Sequence, residues 1–325
     1  TIPSIVSMWI FSLYSMVDGI FVSWGVGEHA LTAVNLSLPF VSLIFTLGIL
    51  LATGTSTILS IALGQGDVEK ARNYFNQNLF VVIVTTVILS VIVLLNLDWV
   101  AHFLGSAPEN HHLVKEYVGV IAAFSVFFTV SYNLEVQVKA DGAPHVSIIG
   151  VTSCGLMTVL LDYIFVMHFH WGVWGAALAT GIGQVLTVAV YLAACALFPL
   201  PMPIGRKSLS PDRSISQKIY AVGIPAALNL ALPSLLISCL NGLLAVYSES
   251  YVVILGIYYK LQTVLYRPDS GVVQGMRPVI GYNYGAGESE RVRKIYRVTL
   301  GVCLIIMAAG TVICLVAPSP LIALF

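Results

Sequence analysis

A chain of 325 residues of which 58% are hydrophobic and only 9% charged lacks the surface of a water-soluble domain, where about a quarter of residues carry charge. Its net charge is zero, and apolar runs of about 20 residues, each long enough to cross a bilayer as a helix, recur along the whole length. A soluble globular reading is excluded in favour of an all-α polytopic membrane protein.

Taken in chain order, the predicted spans are 2–22, 31–63, 79–98, 113–140, 146–169, 174–198, 218–247, 251–281 and 298–318. If the first runs outward, the cytoplasmic side collects Lys70, Arg72, Lys139, Arg206, Lys207, Arg213, Lys218, Arg277, Arg291, Arg293, Lys294 and Arg297, and the outer side holds only Lys115. That asymmetry satisfies the positive-inside rule. Trp24, Trp99, Trp171 and Trp174 then fall at outer ends, as an aromatic belt requires. Cys154, Cys195, Cys239, Cys303 and Cys314 all lie in apolar spans and read as small core residues, with neither a disulfide framework nor metal-ligand spacing. The histidines, His168 and His170 among them, read as interfacial packing. The first residue, Thr1, already stands at a span, so a natural N-terminus further upstream is expected.

The polar stretch "PLPMPIGRKSLSPDRSISQKI" (199–219) reads as a cytoplasmic linker between a six-helix unit (1–198) and a second unit (220–325). A repeat crosses it. "GQGDVEKAR" around Gly64 and "GAGESERVR" around Gly285 align Gly64 with Gly285, Gly66 with Gly287, Glu69 with Glu290 and Arg72 with Arg293. Each stretch follows the long second span of its half, and each half opens on Ile-Pro (Ile2-Pro3, Ile224-Pro225). Six spans separate the copies, so both halves share one orientation and are related by an axis along the membrane normal. The second half holds three of six expected spans, which implies about three further helices and predicts that these residues alone do not transport.

Two carboxylates interrupt the hydrocarbon. Asp18 lies about four residues from the outer end of the first span and Asp162 about seven from that of the fifth, roughly 6 to 10 Å below the interface at helical rise. Thr180, entering from the outside, lies at a similar level, and Thr158 is one turn before Asp162 on the same face. A charge there costs at least roughly 2.5 to 3.5 kcal/mol, so two acids with two hydroxyls at one depth read as a proton or small-cation site. Desolvation would raise a carboxyl pKa toward cycling range, and a bound cation would lower it; both ions stay open. Lys260, Arg267 and Asp269 in "YYKLQTVLYRPDSGVVQGMRP" cannot all snorkel, and Pro268 with Gly271 and Gly275 predicts a helix broken beside a cavity. Glu135, Gln137 and Lys139 are weaker candidates, because Lys139 can reach the cytoplasmic interface.

These residues resemble the multidrug and toxic compound extrusion (MATE) family, most specifically in "VDGIFVSWGVGEHALTAVNLSLP", "LDYIFVMHFHWGVWGAALAT" and "QGMRPVIGYNYGAGE", over Pro3 to about Arg297. The resemblance implies a two-lobe bundle, here a six-helix N-lobe plus the first three helices of the C-lobe, and export of amphipathic, often cationic compounds against protons or sodium. It assigns Asp18, Asp162 and Thr180 to cation coupling and Pro3 to helix bending. Thr158 stands where the DinF-like branch has asparagine, and Pro233 where the NorM-like branch has a coupling glutamate, which favours the DinF-like branch. Arg267-Pro268-Asp269 replaces an apolar sequence of the family's eighth helix, so Lys260, Arg267 and Asp269 become candidates for the substrate cavity.

The expectation is therefore a monomeric efflux antiporter of a bacterial inner membrane. It is not an enzyme, it needs no cofactor beyond H+ or Na+, it binds no metal other than Na+ at Asp18 and Asp162, and its partners are small amphipathic molecules and the bilayer, not nucleic acid. A lipid-linked-saccharide flippase would require a more cationic cavity. An intramembrane aspartyl protease would place its acids in a glycine-flanked GxGD context, absent here, and would leave the repeat unexplained.

Overall fold

The structure is a computed structural model that describes residues 2–26, 28–197, 212–245 and 249–316. Among them there is no strand. The helices are α1 (Ile2–Val26), α2 (Glu28–Gly64), α3 (Val68–Leu95), α4 (Leu97–Phe103), α5 (His111–Ala140), α6 (Pro144–Asp162), a π-helical turn (Tyr163–His168), α7 (Gly172–Leu197), α8 (Arg213–Ala245), α9 (Glu249–Gly285) and α10 (Ser289–Val316). The nine predicted spans correspond in order to all of these except α4. Six helices among the described residues, α2, α3, α5, α6 with its π turn, α7 and α10, are long and apolar enough to cross a membrane.

Three expectations need correction. The third span was expected to run to residue 98, but α3 ends at Leu95 and the short α4 begins at Leu97. It is a separate outer helix, and its Asp98 accepts from Lys115 and lies 3.3 Å from His111; those two partners hold its carboxyl below the usual carboxylate range. The predicted linker ends early, because Asp212 caps a helix starting at Arg213, its Oδ1 accepting from the Ser214 amide at 2.8 Å as N-cap aspartates do. And α9 is continuous from Glu249 to Gly285 with Pro268 and Pro278 inside it. Neighbouring helices and local adjustment let membrane helices absorb a proline that would break a solvated one.

The repeat is visible at atomic level. After α2, Gln65 N bonds Ile61 O, Gly66 N bonds Leu63 O and Asp67 N bonds Ala62 O. After α9, Ala286 N bonds Tyr282 O, Gly287 N bonds Tyr284 O and Glu288 N bonds Asn283 O, all six at 3.0 or 3.1 Å. Gly66 and Gly287 adopt φ of 78° and 77°, the left-handed conformation that terminates helices at glycine.

Buried polar side chains join the helices of the first half. Asn78 of α3 donates to Asn133 of α5 at 2.9 Å, Thr86 and Thr129 meet at 3.0 Å, and Ser90 donates to the Ala122 carbonyl at 2.6 Å, the polar contacts that hold helices together where lipid removes the hydrophobic drive. The apolar core below them includes Leu51, Leu59, Phe75, Leu134 and Tyr191, and Ile219 of α8 is buried in the same cluster. The two halves share a core on the cytoplasmic side.

They also meet backbone to backbone. A Cβ at Gly64 would lie 1.9 Å from the Tyr282 carbonyl oxygen, and one at Gly285 would lie 2.1 Å from that of Ile61. These two contacts are the same contact made twice, once by each copy of the repeat. Gly54 against Ile219 O and Gly223 against Leu50 O, both 2.2 Å, extend the seam between α2 and α8. All four contacts are made by the cytoplasmic half of α2, through Leu50, Gly54, Ile61 and Gly64, where the halves are closed together.

Candidate functional site: a buried acid at a π turn

The α6 helix ends at Asp162, and the next six residues form the π turn. Phe169 N reaches Ile164 O at 2.9 Å, the i to i−5 bond of the wider helix. Such insertions are rare and concentrate at functional sites. Asp162 and Thr158 are 0% exposed, as is Val166 within the π turn. The turn closes on stacked rings, Phe165 on Trp171 at 4.9 Å and Phe169 on Trp171 at 5.3 Å, with Trp171 and Trp174 exposed at the outer rim. The carboxylate is therefore wholly buried where α6 passes into the π turn.

Three contacts fix the register of α1 along α6: Ser7 Oγ to Ser147 Oγ at 3.3 Å, Gly155 against the Tyr14 ring, and Gly25 against Val166. Interpolation sets the Asp18 backbone level with Val159, about 4 to 5 Å below Asp162 along the shared axis. The antiparallel α7 is fixed likewise. Gly183 meets the Thr158 hydroxyl, and Gly150 meets the Tyr191 ring, which sets Thr180 within one residue of the level of Asp162. The Thr180 hydroxyl donates to the Ala176 carbonyl at 3.1 Å. Gly183 is required here, because a Cβ would lie 2.4 Å from Thr158 Oγ1. The backbones of Thr180 and Asp18 thus fall within about one turn of the level of Asp162, and Thr158 stands one turn before it on the same helix.

The side chains of Pro3, Asp18, Pro233, Lys260 and Arg267 lie outside the described residues. Asp269 is half-buried and within hydrogen-bonding reach of the Cys303 thiol of α10. It is about 140° around α9 from Gln274, which faces the first lobe through Tyr132 at 3.4 Å. Asp269 thus points toward its own half and not into the seam. All five cysteines are free, and no cluster of metal-ligating side chains occurs among the described residues.

Sequence reasoning missed two features. Nothing in "LLDYIFVMH" marks the π turn. The other is Lys139, read as reaching the cytoplasmic interface; it is 6% exposed and pairs with Glu135 at 2.6 Å, a pairing that their i, i+4 spacing could have suggested.

The sequence profile of the MatE family matches residues 3–164 and 225–325. The chain belongs to the MatE family. The two matched segments follow the two halves of the repeat. Multidrug export protein MepA of Staphylococcus saprophyticus is 28% identical over 327 residues, spanning 98% of this chain and 72% of that protein. MepA of Staphylococcus aureus strain NCTC 8325 is 26% identical over 308 residues, 94% of this chain and 68% of the relative. Among solved structures, a multidrug resistance MATE transporter of the MOP superfamily in its outward-facing conformation superposes with a TM-score of 0.89 at 26% identity, covering 98% of this chain and 71% of that one. A MOP superfamily transporter from Pyrococcus furiosus gives 0.90 at 25%, over 99% and 71%. The MATE-type helical bundle that the resemblance implied is the fold of these proteins.

Proposed function

We propose that this MATE protein is a secondary active exporter of the bacterial inner membrane, with no enzymatic activity, that expels amphipathic, cationic drug-like compounds in exchange for protons or sodium. The observation that carries the reading is Asp162, wholly buried in a membrane-spanning helix pair where the α-helix widens into a π turn, with Thr158, Thr180 and the Asp18 backbone at its level. A buried carboxylate is costly in a membrane and marks ion pathways. The family and the MepA relatives support efflux. The threonine at 180 and the proline at 233 support the DinF-like branch, with coupling in the first lobe. Pro3 is assigned the bending of α1, and Lys260 and Arg267 the charge preference of the substrate cavity. No cofactor beyond the coupling ion is required, and the working unit is a monomer.

In energetic terms the ion must bind one conformation better than the other, since equal affinity shifts nothing. The test uses the complete gene product in everted vesicles with a fluorescent cationic dye, under separately imposed proton and sodium gradients. One gradient is expected to drive dye uptake, and Asp162→Asn to abolish it. Equal dye movement in wild type and Asp162→Asn would remove Asp162 from the coupling mechanism.

A further inference from the structure

Below Asp162 the interior of the first lobe is lined with polar groups down to the cytoplasmic side. Cys154 Sγ and the Thr158 hydroxyl both stand against Gly183 of α7, and Tyr14 and Thr187 line the same space as Cys154. Gln184 Nε2 donates to Cys154 Sγ at 3.6 Å, and Ser131 Oγ donates to Gln184 Oε1 at 2.5 Å. Among these groups is a small cavity bounded on one side by Tyr14, Ser131, Glu135, Cys154, Gln184 and Thr187 and on the other by apolar side chains including Phe11, Phe45 and Phe128, with room for about two water molecules. Its floor is Glu135, whose Oε1 accepts from Lys139 Nζ at 2.6 Å and from Ser147 Oγ at 3.3 Å. Ser147 also meets Ser7 of α1 and receives the Tyr191 hydroxyl on its carbonyl. From Asp162 to Ser147 the column descends about 22 Å, most of the roughly 30 Å of a bilayer's hydrocarbon.

An ion pair 17% and 6% exposed is poor evidence of stability, because desolvation offsets most of the attraction. Its position at the foot of a column of polar side chains suggests a function instead. We propose that the proton taken up at Asp162 leaves toward the cytoplasm through the interior of the first lobe, and that Glu135 is the second carboxylate on that path. This rests on the antiport reading of the site above. The hydroxyls, the thiol and the cavity pass the proton from the Asp162 carboxyl to the Glu135 carboxylate. Asp162 becomes ionised and Glu135 neutral. The neutral acid releases the Lys139 ammonium, and Glu135 then gives its proton to cytoplasmic water and reforms the pair. One proton moves, and no electron does. A sodium ion on this route would face the Lys139 ammonium, and the cavity is too small for a drug. The titratable groups facing Glu135 are Lys139 and Tyr132 of α5, Tyr14 of α1, Cys154 of α6 and Tyr191 of α7, with Arg277 of α9 beyond Tyr132.

The experiment reconstitutes the complete gene product in proteoliposomes with a trapped pH indicator and ethidium as the exported probe. Glu135→Gln is expected to lower ethidium-coupled proton flux about a hundredfold, the scale of losing a positioned proton-transfer group, and to leave ethidium affinity within about threefold. Glu135→Asp is expected to restore the flux and to shift its pH profile. Wild-type flux and pH profile in Glu135→Gln would overturn the proposal, as would loss of ethidium binding in both variants, which would make Glu135 structural. If Asp162→Asn stops the flux and Glu135→Gln does not, only the path fails. If the wild type moves no protons with ethidium, the proton antiport reading fails with it.

Discussion

Replacing Gly64 with alanine places a methyl group 1.9 Å from the Tyr282 carbonyl oxygen and 2.8 Å from its carbon, and Gly285→Ala places one 2.1 Å from the Ile61 oxygen. Both obstacles are helix backbone, so no side-chain rotation relieves them. Atoms at rest stand about 3.5 Å apart, so each methyl requires the two halves to separate by well over 1 Å. Overpacking of this kind costs about 1 to 3 kcal/mol, and only where the seam is closed. The ratio of seam-open to seam-closed molecules should rise about 5- to 150-fold per methyl. A reporter is available at Ser60, 1% exposed and facing Gly281 across the seam. In a background with the five native cysteines replaced, Ser60→Cys should react with a maleimide faster by that factor once Gly64→Ala or Gly285→Ala is added. Gly301→Ala is the control, since a Cβ there meets nothing within 4 Å. An unchanged labelling rate in both seam variants would refute the claim that these glycines set the closed state.

Two further measurements follow. Gly183→Ala should lower the melting temperature in detergent by the equivalent of about 1 to 3 kcal/mol, and Thr158→Ala should recover most of it in a double-mutant cycle, because the methyl collides with that hydroxyl; additive losses would place the strain elsewhere. Burial raises the Asp141 carboxyl, in the cytoplasmic turn between α5 and α6, from 3.8 to about 7. Between those values the folded protein retains a proton that the unfolded chain has lost, so this group's contribution falls as pH rises through that window and is flat above it. Asp141→Asn should remove the slope and raise stability above about pH 7 by roughly 1 to 2 kcal/mol, a figure discounted for the partial exposure of the side chain. Melting curves from about pH 4 to 8 that stay parallel for the two proteins would contradict this.

What could be read from the sequence was whatever one helix or one turn expresses locally. Length and apolarity set the spans, and the lysine and arginine asymmetry set their orientation. The Gly64 and Gly285 turns repeat because a left-handed helix terminus admits little but glycine, so the fold's symmetry was legible in two short stretches. Depth was legible too, since counting residues from a span's end is geometry, and it placed Thr180 within one residue of Asp162. The lateral arrangement was not. Whether Asp269 faces the seam or Cys303 depends on how α9 rotates against α10, and the surroundings of Lys139 include Thr53 and Ser56 of α2 and Gln274 and Arg277 of α9, which no local pattern announces. The π turn is the hardest case, because it shifts the helix phase after Asp162 without any residue that marks it. Pro268 misled in the other direction, since a rule learned in water overstates what proline does to a membrane helix.

A final question is how an ion at Asp162 reaches a seam in the opposite half of the membrane. Among the described residues, α6 packs on α1, α5, α7 and the π turn, all within the first half, whereas α1 packs on both α6 and α9. Thus α1 touches both the acid-bearing element and the second half, and does so more extensively than α5. Its register on α6 is held by Tyr14 against Gly155, where a Cβ would lie 3.1 Å from the ring. The tyrosine must yield slightly to accommodate a methyl there, so Gly155→Ala should perturb the α1–α6 contact and leave the seam glycines untouched. Ion binding can bias the seam only through a contact that differs between the two states. In the Ser60→Cys reporter, acidification should therefore change the labelling rate of the wild type, and that change should shrink severalfold in Gly155→Ala, with the Gly64→Ala increment retained. A full response to pH in Gly155→Ala would mean that the signal bypasses α1 and travels through α5, the other first-half helix that touches both α6 and α9.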